Sequence, residues 1–75
     1  MSERQFQYLA AMAQCEGVDI ANGDIAKKMG LSANQVGSYR KRLIDAGLIE
    51  SAGYGCVSFA IPYMRDYLLE TVRED

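Results

Sequence analysis

The stretch Leu31-Ser32-Ala33-Asn34-Gln35-Val36-Gly37-Ser38-Tyr39-Arg40-Lys41-Arg42-Leu43-Ile44-Asp45-Ala46-Gly47 reads as one helix with both ends marked. The hydroxyl of Ser32 can accept from a first-turn backbone N–H, and Gln35, three residues on, can reach back, so the pair has capping-box spacing. Gly47 suits the left-handed position that follows a helix. Val36, Tyr39, Leu43 and Ala46 recur at helical spacing and predict a buried stripe. The opposite face carries Asn34, Ser38, Lys41, Arg42 and Asp45, which is polar and mostly basic.

Upstream, Asn22-Gly23-Asp24 opens a shorter helix. Ile25, Ala26 and Met29 are expected inside it, with Lys27 and Lys28 outside and Gly30 at its end. A turn of about three residues containing a glycine then joins the two helices, the helix-turn-helix arrangement, with Met29 and Leu31 filling the angle. Further upstream, Ser2 and Gln5 repeat the capping-box spacing, and Glu3 favours the positive end of a first helix. Phe6, Leu9, Ala10 and Ala13 form its predicted stripe, flanked by Tyr8 and Met12. The spacing ends it near Cys15-Glu16, with Gly17 as the left-handed residue. Val18 to Ile20 is a short extended piece that can pair with a hairpin and cover its edge.

Downstream, the period changes from helical to alternating. Leu48 to Ser51 and Cys56 to Ile61 predict two strands around the turn Ala52-Gly53-Tyr54-Gly55. Pro62 is expected at the first position of a last helix running to Arg73, with Met64, Tyr67, Leu68 and Val72 apolar and the Glu74-Asp75 end frayed. The order predicts an α+β, mainly α, single domain over 1–75. It is a winged helix-turn-helix with a three-helix core, a β-hairpin wing and a C-terminal helix.

Seventy-five residues allow only a small core. Cys15 and Cys56 form no CxxC pair, and the chain has no histidine, so no metal is expected and the two cysteines read as reduced, mostly buried thiols. No apolar run is long enough to span a bilayer, and the N-terminus lacks a basic region followed by an apolar one, so the expected location is cytoplasmic. Walker-type, Gly-x-Ser-x-Gly and dinucleotide-binding patterns do not occur. No enzyme activity, catalytic residue or cofactor is expected.

The net charge is −2, but its distribution is uneven. Lys27, Lys28, Arg40, Lys41 and Arg42 place +5 between positions 27 and 42 with no acid among them, which leaves −7 elsewhere. A local basic surface is what phosphate binding requires. Asn34 and Ser38 lie on the half of the long helix that meets base edges, where Asn can bind adenine bidentately. Lys41, Arg42, Lys27 and Lys28 are phosphate candidates, as is the helix N-terminus at Ser32. Gln35 in the first turn and Tyr54 at the wing tip complete the candidate contact set. Arg40 is expected to lay its stem against the hairpin. Gly37 in mid-helix costs about 1 kcal/mol relative to Ala, which close approach of the preceding helix or of a ligand must offset; helix packing is the expected compensation.

Gly23-Asp24-Ile25-Ala26, Met29-Gly30-Leu31-Ser32, Val36, Arg40, Leu43-Ile44, Gly47-Leu48-Ile49, Gly55, Val57, Phe59 and Pro62 stand in a familiar order, as does Phe6-x-x-Leu9-x-Ala11-Met12-Ala13. This order resembles the C-terminal winged-helix domain of bacterial and archaeal AAA ATPases, the ATP-binding proteins related to the Orc1/Cdc6 initiator group. The resemblance covers nearly the whole chain. It implies a piece of a larger ATPase in which Met1 is not the native start, with double-stranded DNA or the parent's ATPase domains as partners. Gly37 stands where that family usually carries Ser, and the wing carries Tyr54 in place of a basic tip. Two other readings fit the same residues: a protein-interaction or dimerisation module, and a stand-alone MarR-like transcriptional regulator.

Overall fold

The computed structural model of the chain describes residues 2–73, the last two by backbone alone. The predicted apolar role of Val72 and the fraying of Glu74-Asp75 lie outside the described residues. Four helices and a small antiparallel sheet follow in the order α1 (Glu3–Gln14), β1 (Ile20–Ala21), α2 (Asn22–Met29), α3 (Ala33–Asp45), β2 (Ile49–Ser51), β3 (Cys56–Phe59) and α4 (Met64–Arg73). The architecture is α+β and mainly helical.

The helix ends are built from local sequence. Ser32 Oγ accepts from Gln35 N at 3.2 Å, and Gln35 Oε1 accepts from Ser32 N at 2.9 Å. Ser2 and Gln5 make the same reciprocal pair at the start of α1. Each box satisfies two N–H groups that a helix leaves without partners. The C-termini of α2 and α3 also rhyme. Gly30 N donates to Lys27 O and Leu31 N to Ala26 O; Gly47 N donates to Ile44 O and Leu48 N to Leu43 O. These are paired Schellman closures on left-handed glycines, at φ 71° and 80°. The half-buried leucine after each glycine packs against the core. Helix α1 departs from expectation here: Cys15 closes it in an extended conformation, so Gly17, at φ 93°, lies one residue too far on to be the closing residue.

The sheet order is β1-β3-β2, so the extended piece before α2 does pair with the hairpin. It starts two residues later than expected and ends one later, with Ile20 opposite Val57 and Ala21 opposite Cys56. Ile49 opposes Phe59 and Ser51 opposes Val57. Both hairpin strands are shorter than the sequence pattern suggests. Period two places Ile20, Ile49 and Val57 in the core, each no more than 2% exposed.

Helix α1 is the centre of the core and contacts α2, α3 and α4. Its buried face is Tyr8, Leu9, Ala11, Met12 and Ala13. Phe6 and Ala10, expected on the stripe, are only half-buried, and the flanking Tyr8 and Met12 are fully enclosed. Three helices pack around α1, so its apolar arc is wider than one stripe and is centred on Tyr8 and Met12. On α3, Val36 and Leu43 are buried and Tyr39 is half-buried, as the spacing predicts. Ala46, predicted for the same stripe, is exposed because the helix closes at that residue and turns away toward β2.

Pro62 is not the first residue of α4. Ile61 O accepts from Met64 N at 3.3 Å, so Ile61-Pro62-Tyr63-Met64 forms a turn with proline at its second position. Tyr63, at φ 66°, then leads into the helix, and its carbonyl accepts from Tyr67 N.

Candidate nucleic-acid interface

Helices α2 and α3 are joined by Gly30-Leu31-Ser32 alone. The Schellman closure of α2 and the capping box of α3 meet in these three residues, so the angle between the helices is set by hydrogen-bonded geometry at both ends. Asn34, Ser38, Lys41 and Arg42 are all exposed on α3. Asn34 to Arg42 covers about 12 Å of helix axis at 1.5 Å per residue.

The side chains of that face are not equally available. Ser32 and Gln35 are committed to each other in the capping box. Ser38 Oγ donates back to Gln35 O at 3.2 Å. Its lone pairs remain open, so Ser38 can accept without breaking that bond. Asn34, Lys41 and Arg42 project from the exposed arc between these groups.

Lys27 and Lys28 lie in the last turn of α2, where cations favour the helix dipole. They share a cleft of about 590 Å³ with Cys15, Glu16, Asp19 and Asp24. Their field is therefore mixed. Cys15, in the same cleft, donates its thiol to Ala11 O at 3.3 Å. Burial pushes that thiol's pKa up, against the pull of Lys28, so it stays protonated at neutral pH. Both cysteines are free thiols and are half-buried, less enclosed than expected.

Arg40 behaves as expected of a structural residue. It is half-buried, and its Nη2 donates to Ser51 Oγ at 3.3 Å, fastening α3 to the last residue of β2. This leaves four of the five clustered cations facing outward. The tether also holds the β2–β3 turn relative to α3. Tyr54 stands at that turn, 105% exposed.

Gly37 contradicts its expected role. A Cβ built there meets nothing within 4 Å, so no neighbouring helix needs the glycine. The sequence marks Asn22 only as a helix opener, yet it joins three parts of the fold. Its Oδ1 accepts from Tyr8 Oη at 2.7 Å, and its N donates to Gly55 O at 2.9 Å. No local signal in the sequence announces either bond, since both partners are distant in the chain.

Among the described residues no group of three or more His, Cys, Asp or Glu side chains is placed to hold a metal ion, and no helix is long and apolar enough to cross a membrane. No curated protein and no solved structure matches the chain. A family profile described as a domain of unknown function, DUF8462, matches residues 1–68. With that match covering most of its length, the chain belongs to the DUF8462 family.

Proposed function

We propose that this chain is a winged helix-turn-helix domain that binds duplex DNA, with α3 lying in the major groove and the β2–β3 hairpin as its wing. The observation that carries the reading is the outer face of α3. Asn34 and Ser38 stand on its N-terminal half and Lys41 and Arg42 on its C-terminal half, all exposed, on a helix capped at both ends. In this arrangement Asn34 and Ser38 read base edges, while Lys41, Arg42, Lys27 and Lys28 neutralise phosphates. Ser32 and Gln35 act by fixing the start of α3, so that the N–H groups of Ala33 and Asn34 can meet a phosphate. Tyr54 reaches sugar or phosphate from the wing tip. The domain serves as the C-terminal module of a larger AAA-type ATPase, as its sequence resemblance implies.

Asp45 on α3 and Glu50 on β2 are exposed beside this face and repel phosphate. Binding by the domain alone is therefore weak and steeply salt-dependent. Titrating a mixed-sequence duplex at low ionic strength tests the reading. Binding that is lost when Lys41→Glu and Arg42→Glu are combined supports it. An absence of binding at high micromolar protein, or binding indifferent to those reversals, overturns it.

A further inference from the structure

A second surface lies on α4 and the turn before it, away from the face assigned to DNA. Tyr63 is 84% exposed, Val18 79% and Tyr67 63%, and Ile61 is also exposed. Val18, Ile61, Pro62 and Tyr63 line a common cleft of about 230 Å³ with Phe59 and Arg65. Large apolar side chains gathered in this way mark an interaction surface more often than isolated ones do.

Tyr63 makes the case sharper. Among the described residues it is the one non-glycine at positive φ, 66°. The turn Ile61-Pro62-Tyr63-Met64 needs a left-handed third residue, for which Gly or Asn is the unstrained choice. A tyrosine there costs roughly 1–2 kcal/mol. With its ring in solvent, burial within this chain offsets little of that cost. An aromatic ring held outward by a strained backbone indicates a contact outside the chain.

The charges around the cleft say what kind of contact. Asp66 and Glu70 are exposed on α4 beside Tyr67, and Asp19, exposed as well, follows Val18 in the loop after α1. Among the described residues the one cation in the cleft wall is turned inward: Arg65 Nη2 donates to Gly17 O, and its guanidinium lies 5.9 Å from the Phe59 ring centroid. The exposed charges beside these apolar side chains are therefore acidic. A second copy packing α4 against α4 would set Asp66 and Glu70 against their own equivalents, and nucleic acid or an anionic lipid surface would be repelled.

We infer that this face docks a basic amphipathic segment of another protein, whose apolar side chains meet Tyr63, Val18 and Ile61 while its lysines or arginines meet Asp66 and Glu70. Tyr63 is its anchor.

Two short synthetic helical peptides with identical leucine spacing, one with lysine and one with glutamate at every polar position, test the idea by titration into the isotopically labelled chain. The leucine-lysine peptide is expected to bind, shifting the amide signals of Val18 and of Ile61 through Tyr67. The glutamate peptide should bind at least about tenfold more weakly, and Tyr63→Ala should weaken the lysine peptide by about tenfold. The pair Asp66→Lys and Glu70→Lys should reverse the preference. Tyr63→Gly, which suits the left-handed backbone, separates lost contact from lost folding: it should melt no lower than the parent and still bind poorly. Equal affinity for the two peptides, binding unaffected at Tyr63, or signals moving on α2 and α3 instead would overturn the proposal. So would a concentration-dependent dimer abolished by Tyr63→Ala, which would give the face to a second copy.

Discussion

Tyr8 donates its phenolic hydrogen to Asn22 Oδ1 at 2.7 Å, across fourteen residues of sequence. Tyr8 is fully buried at the centre of α1, and Asn22 is the first residue of α2. The backbone N–H of Asn22 also holds Gly55 O in the hairpin turn. A single asparagine thus positions the start of α2 and the β2–β3 turn relative to the core.

Burial pushes the Tyr8 phenol up to about 12, with Arg40 pulling weakly the other way. A phenol raised in the folded state keeps its proton where the unfolded chain has lost it. Its contribution to stability is therefore complete below pH of about 10 and falls away between about 10 and 12, by roughly 2–3 kcal/mol in all. Chemical denaturation followed across that window should show this loss, and absorbance should show one phenol ionising only near pH 12 in the folded chain. Tyr8→Phe should remove its share of the pH dependence. It should also lower stability near neutral pH by about 1 kcal/mol through the lost hydrogen bond.

Gly37→Ala separates folding from binding. Nothing lies within 4 Å of the added Cβ, so the substitution should stabilise α3 by about 0.5–1 kcal/mol. In a domain of this size that raises the melting temperature by several degrees. If the glycine is kept so that a ligand backbone can approach α3, the same variant should bind duplex DNA less well while melting higher. A higher melt with unchanged DNA binding would remove Gly37 from the interface.

Ser32→Ala deletes the hydroxyl that accepts from Gln35 N and should cost about 1 kcal/mol of stability, read from denaturant midpoints. Gln35→Ala should cost less, since it leaves the Ser32 hydroxyl in place. Exchange of the first-turn amides of α3 should quicken in both variants while the amides around Leu43 stay protected.

If the domain binds DNA as proposed, the four outward cations of the 27–42 cluster, Lys27, Lys28, Lys41 and Arg42, set the number of phosphate contacts. The logarithm of the DNA association constant should fall with the logarithm of salt concentration with a slope no steeper than about −3.6. Replacing Lys41 by Gln should make that slope shallower by roughly one. Asn34→Ala should instead change discrimination between sequences and leave the slope nearly intact.

Leu43→Ala tests the core that supports the site. Leu43 is 1% exposed, faces α1 from α3, and lends its carbonyl to the closure at Leu48. Truncation should cost about 2–5 kcal/mol, enough to unfold much of the population in a chain this short. Circular dichroism should register the loss before any binding measurement does.

The C-termini of α2 and α3 and the start of α3 are legible in the sequence because their bonds join residues no more than five apart. Ser32 with Gln35, Gly30-Leu31 and Gly47-Leu48 close their helices from nearby sequence alone, and alternation in Cys56 to Phe59 sets which residues of β3 face the core. The charge partition was equally plain, since Lys27, Lys28, Lys41 and Arg42 fall on outward positions of helices whose inward faces are apolar.

What only tertiary structure decided rests on partners far apart in the chain. Tyr8 became the centre of the core because three helices close over α1, which no single periodicity encodes. Asn22 gained two distant bonds, and Arg40 was drawn to Ser51 and out of the basic face. Ala46 left the stripe where the chain turns toward β2. Pro62 entered a turn instead of a helix, which forced Tyr63 into the left-handed region. Local hydrogen bonds depend on spacing and residue type, which a sequence displays directly. Packing and long-range polar bonds depend on which surfaces meet, and that is settled only when the whole chain has folded.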